Sequence, residues 1–69
     1  MIIKYKNYNG TSNLDKQRHV YRGKILDIAD LITYEAATKS TIQQEFELAV
    51  DDYLETCRQL DKIPQLKEI

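Results

Sequence analysis

The stretch that decides the fold runs Leu31-Ile32-Thr33-Tyr34-Glu35-Ala36-Ala37-Thr38-Lys39-Ser40-Thr41-Ile42 and continues to Leu60. Its opening, Leu31 to Ala36, mixes branched and aromatic residues with polar ones, as a half-buried strand does. Thr38 to Thr41 is rich in helix-capping hydroxyls. Ser40 with Gln43 fits a capping box, in which a hydroxyl and an amide satisfy the first free N–H groups; Thr38 and Thr41 are competing caps. Beyond them Ile42, Phe46, Ala49, Val50, Tyr53, Leu54, Cys57 and Leu60 recur at steps of three and four. That spacing makes one broad apolar stripe on a helix. Glu45 and Glu47 fall in its first turns and Arg58 and Lys62 in or after its last, as the helix dipole favours. Pro64 is the expected terminator, because it cannot continue the hydrogen-bond ladder. The remaining Ile63 to Ile69 is a short tail.

A helix with so wide a stripe needs a sheet to cover. Ile2 to Tyr8 reads as a first strand, its lysines on the wet side. Asn9-Gly10-Thr11-Ser12-Asn13 fits either a turn or a strand with a bulge near Gly10. Leu14 to Arg18 reads as a hairpin connection, His19 to Ile28 as a second strand, and Asp27 to Asp30 as a tight turn before the third strand, Leu31 to Ala36. Consecutive strands with short connections form an antiparallel meander. The expectation is a single α+β domain spanning residues 1–69: a three-stranded antiparallel sheet against one C-terminal helix, order β-β-β-α. The opposite face of the sheet has no helix left to cover it, so it meets solvent or builds a homo-dimer.

Composition agrees. The 69 residues are 42% hydrophobic and 30% charged, ordinary values for a globular domain. No apolar run reaches the ~20 residues of a membrane span, and the N-terminus has no signal-peptide core, so a cytoplasmic protein is expected. One cysteine, Cys57, leaves no internal disulfide and no Cys-based zinc site. The net charge of −1 conceals a division. Residues 1–24 hold Lys4, Lys6, Lys16, Arg18, Arg22 and Lys24 against Asp15 alone. Residues 27–61 hold Asp27, Asp30, Glu35, Glu45, Glu47, Asp51, Asp52, Glu55 and Asp61 against Lys39 and Arg58. Two faces of opposite sign would follow, although charge scattered over the outside of a small domain is the plainer reading.

Nothing in the chain spells out catalysis. His19, the one histidine, has no nucleophile or carboxylate at an interpretable spacing and reads as a surface residue. Cys57 lies on the apolar stripe, where a thiol is buried and inert. Asp51, Asp52 and Glu55 make a poor metal site, because successive helix residues point ~100° apart. With Glu47 they form a solvated acidic face or a protein-binding one, and Leu48, off the stripe, marks the same surface. Five tyrosines, Tyr5, Tyr8, Tyr21, Tyr34 and Tyr53, beside Lys4, Lys6, Arg22 and Lys24 suggest a stacking platform for single-stranded RNA as an alternative. No phosphate-binding glycine loop or catalytic motif is present, so no enzyme activity, cofactor or metal is expected.

At Leu31 to Cys57 the chain resembles the HicB family of antitoxins. The likeness is carried by Asp30-Leu31-Ile32-Thr33-Tyr34-Glu35 and by Phe46-Glu47-Leu48-Ala49-Val50-Asp51-Asp52-Tyr53-Leu54-Glu55-Thr56-Cys57. Lys4-Tyr5-Lys6-Asn7-Tyr8-Asn9-Gly10 and Tyr21-Arg22-Gly23-Lys24-Ile25 fall where that family has similar runs. The resemblance covers essentially the whole chain, and Ala49-Val50-Asp51-Asp52-Tyr53-Leu54-Glu55 is its most specific part. It implies a partial RNase H-like domain without nuclease activity that binds and neutralises a small basic HicA-type mRNA interferase. Glu47, Leu48, Asp51, Asp52 and Glu55 are then the expected partner-binding residues, since an acidic face suits a basic toxin. Two departures stand out. The junction before the helix reads Ala36-Ala37 where the family has a glycine. The ribbon-helix-helix or helix-turn-helix segment that usually follows is absent before Ile69, so operator binding is not expected of this chain. A third reading is an orphan oligomerisation module without a toxin.

Overall fold

A computed structural model describes residues 1–61. Five strands precede one helix: β1 (Ile2–Tyr5), β2 (Tyr8–Thr11), β3 (Asn13–Asp15), β4 (Val20–Lys24), β5 (Thr33–Ala36) and α1 (Lys39–Gln59). β3, β4 and β5 form the expected three-stranded antiparallel sheet, and β1 and β2 add a two-stranded one. The architecture is α+β, with the helix against the sheets.

The expected first strand, Ile2 to Tyr8, is in fact a hairpin. Lys6 and Asn7 form its two-residue turn with φ of 48° and 66°. Positive φ at both positions is the signature of a type I′ turn, whose twist matches that of the strands it joins. The Asn9 to Asn13 segment resolves in favour of a strand with an irregularity, placed at Ser12 rather than Gly10. The offset that pairs Asn13 with Arg22 also pairs Gly10 with Ile25, so β2 and β3 are one bent strand lying along β4. Leu14 and Asp15 belong to β3, and the connection is Lys16 to His19. Asp15 Oδ1 shapes it by accepting the Gln17 and Arg18 N–H groups at 3.1 and 3.2 Å. His19 closes it at φ 56°, exposed.

The helix starts one cap earlier than the Ser40 and Gln43 pairing suggests. Thr38 is the N-cap, with extended backbone; its hydroxyl accepts the Thr41 N–H at 3.1 Å, and Thr41 Oγ1 accepts the Thr38 N–H at 3.3 Å. No acidic residue lies in the first turn, so Glu45 and Glu47 sit too deep to act on the dipole there. The stripe buries Ile42, Phe46, Val50, Tyr53 and Cys57 and half-buries Ala49 and Leu54. Leu60, expected on it, is the C-cap and is exposed. The Pro64 stop, Lys62 and the tail lie outside the described residues.

Those five residues pack on Ile3, Tyr8, Ile25 and Tyr34 in one core. Each large apolar side chain so buried contributes roughly 1.5–3 kcal/mol. Tyr8 meets Tyr53 edge-on at 6.0 Å between ring centroids, and Tyr34 meets Phe46 at 5.5 Å. The register places Arg22 opposite Glu35 and Lys24 opposite Thr33 on the side of the sheet away from the helix. That uncovered side carries ion pairs: Arg22 lies 3.7 Å from both Asp15 and Glu35, beside an open concavity of about 730 Å³ that Leu14 and Tyr34 also line.

Candidate functional site

Each helix residue turns ~100° from the last. With Phe46 and Val50 fully buried, Leu48 between them faces outward, and it is 62% exposed. Asp52 lies one turn on from Leu48, Glu55 a further turn, and Glu45 one turn before. These four lie along one exposed strip of α1, on the side turned away from β1. Glu45 was not among the expected site residues. Its spacing of three from Leu48 and seven from Asp52 is the signal that places it there.

The other two expected residues, Glu47 and Asp51, lie on the flank of α1 that meets β1, and both are half-buried. Asp51 is held from the hairpin: Lys6 Nζ donates to Oδ1 at 2.9 Å and the Tyr5 hydroxyl to Oδ2 at 3.2 Å. The hydrogen bond from Lys6 holds the Asp51 carboxyl below the usual carboxylate range, and the same bond raises the Lys6 ammonium. Lys6 also stands 5.2 Å over the Tyr5 ring. Glu47 accepts from Gln43 Nε2 at 2.9 Å, and Gln43 in turn donates to the Lys4 carbonyl at 3.2 Å. Glu55 is gripped by the Arg58 guanidinium through Nε, at 3.1 Å, and Nη2, with Gln59 at 3.4 Å. That bond from Arg58 lowers the Glu55 carboxyl.

The acidic face is therefore less charged than the sequence suggests. Asp51 and Glu55 each carry an internal cation. Asp52 and Glu45 have no ion-pair partner among the described residues. The strip presents two unpaired carboxylates around an exposed leucine, with a compensated carboxylate at one end. That arrangement offers acceptors and one apolar knob, and it suits docking against a basic protein surface.

The tyrosine platform does not form on the surface. Tyr8, Tyr34 and Tyr53 are buried in the core, and Tyr5 and Tyr21 are half-buried against it. Burial raises the Tyr8 hydroxyl and pushes Tyr34 up to about 12. Cys57 is buried and free, as its place on the stripe implies. No helix among the described residues is long and apolar enough to cross a membrane. Comparison with protein-family models, curated proteins and solved structures gives no match.

Proposed function

We propose that this chain is a protein-docking module of the HicB antitoxin kind, which binds and neutralises a small basic HicA-type mRNA interferase through the outer face of α1. The observation that carries this reading is the strip Glu45, Leu48, Asp52 and Glu55, an exposed leucine set among carboxylates of which two are unpaired. The resemblance of Ala49 to Glu55 to the antitoxin family supports it from a separate direction. Unpaired surface carboxylates raise the encounter rate with a cationic partner and set its orientation. Leu48, once desolvated at the centre of the contact, would slow dissociation. The partial RNase H-like ancestry implied by the resemblance belongs to the same proposal.

The test is inhibition of RNA cleavage by a purified HicA-type toxin from the same genome. The intact chain should abolish cleavage at equimolar ratio. Glu45→Lys with Asp52→Lys should weaken inhibition and reduce its salt dependence, while leaving the circular dichroism spectrum unchanged. Asp51 is a poor choice for such a reversal, since Lys6 and Tyr5 depend on it. Undiminished inhibition by the double variant would remove the outer helix face from the mechanism.

A further inference from the structure

The helix treats the outer edges at β1 and β5 differently. On β1, the Lys4 carbonyl faces away from β2 and is taken by Gln43 of α1 at 3.2 Å. On β5, nothing plays that part. The Ile25 N–H donates to the Ile32 carbonyl at 3.0 Å, which fixes the alternation of the β4–β5 ladder. Ile32, Tyr34 and Ala36 then direct their main-chain groups to β4, and Thr33 and Glu35 direct theirs outward. Thr33 and Glu35 are exposed, and no hydrogen bond reaches their N–H or C=O groups among the described residues. Leu31, two residues before Thr33 on the same edge, is 81% exposed.

We propose that this edge pairs with itself: a second copy of the chain adds its β5 antiparallel to the first, extending the sheet across a two-fold axis at Tyr34. In that register Thr33 lies opposite Glu35 of the second copy, and the reverse, and the two pairs exchange four main-chain hydrogen bonds. The axis at Tyr34 keeps the two glutamates apart; an axis at Glu35 would set them face to face, where like charges oppose pairing. Leu31 comes to lie beside Ala37 of the second copy, which covers part of its apolar surface. The occupant is a second copy because the register about Tyr34 pairs the outward main-chain groups of Thr33 and Glu35 with those of the same edge while keeping the two Glu35 carboxylates apart. The outer side of the sheet stays free, and so does the outer face of α1. The inference therefore stands apart from the antitoxin reading.

Sedimentation equilibrium and cysteine cross-linking of the full chain test it. The parent chain should show a concentration-dependent monomer–dimer equilibrium. Thr33→Glu places like charges in both cross-strand pairs and should raise the dimer Kd about tenfold, whereas Thr33→Lys should lower it. The pair Thr33→Cys with Glu35→Cys should cross-link rapidly under mild oxidation. Thr33→Cys alone should not, and neither should the parent, whose Cys57 is buried. A parent chain monomeric up to about 1 mM would overturn the proposal. So would equal effects of Thr33→Glu and Thr33→Lys, or cross-linking by the single cysteine as fast as by the double.

Discussion

At Gly23 the sheet requires the absence of a side chain. The Thr11 carbonyl turns out of the strand ladder and lies over Gly23, where it accepts the Tyr34 hydroxyl at 2.8 Å. The Thr11 side chain replaces it in the ladder, its Oγ1 accepting the Lys24 N–H at 3.0 Å. A Cβ on Gly23 would overlap that carbonyl, and the obstacle is backbone, which cannot swing aside. Gly23→Ala should therefore destabilise by about 3 kcal/mol, the upper range for a forced overlap in a packed interior. Urea unfolding checks this through a lower midpoint at unchanged slope. Tyr34→Phe should cost about 1–3 kcal/mol, because it strands the Thr11 carbonyl without its donor. Neither role is legible in the sequence. Gly23 fits the alternation of an ordinary strand, and a carbonyl rotated at Thr11 leaves no mark on residue identities.

Among the elements, legibility follows how many residues carry the signal. The helix rests on five buried residues at steps of three and four, so its existence and most of its buried face were readable, while Leu60, one step further on, is the exposed C-cap. β4 and β5 were readable as strands, although each is shorter than the apolar runs suggested. The β1–β2 hairpin was missed because its whole signal is the pair Lys6-Asn7, and lysine is not a residue typical of type I′ turns. The cap was ambiguous for a similar reason: Thr38, Ser40 and Thr41 all carry hydroxyls, and only the backbone at Thr38, with φ −131° and ψ 159°, selects one. Thr38→Ala should lower stability by about 1 kcal/mol, the usual value of an N-cap. Ser40→Ala removes only the exposed hydroxyl contact of 3.2 Å to Thr38 Oγ1 and should cost about 0.5 kcal/mol, the low end for a hydrogen bond. Equal effects of the two in thermal unfolding would show that the capping box is shared rather than held by Thr38 and Thr41.

Over the whole molecule, one contact ties the N-terminal hairpin to the helix and bears on both ends of the pH scale. The sequence showed an acidic helix and a basic N-terminal half, and Leu48 was legible as an apolar residue off the stripe. It did not show that Lys6 reaches Asp51, because only the unforeseen hairpin brings the two together. Asp51 is depressed by its bond from Lys6, so its contribution to stability is complete above the unfolded carboxylate range and is lost as pH falls through its folded value. Lys6 is raised by the same bond, so its contribution is complete below its unfolded pKa and is lost as pH rises through the folded one. Tyr34 adds to the alkaline side: its hydroxyl, about 10 when unfolded and pushed up to about 12 by burial, keeps its proton better in the folded chain, and stability falls across that window. Asp51→Asn should therefore flatten both limbs of a plot of urea midpoint against pH. Tyr34→Phe should flatten only the alkaline one, and Glu55→Gln only the acid one, since Arg58 depresses Glu55. The discriminating measurement is the alkaline limb of Asp51→Asn. Were it as steep as that of the parent, the Lys6–Asp51 contact would not persist in solution, and the hairpin would be held to the helix by Tyr8, Ile3 and their apolar neighbours alone.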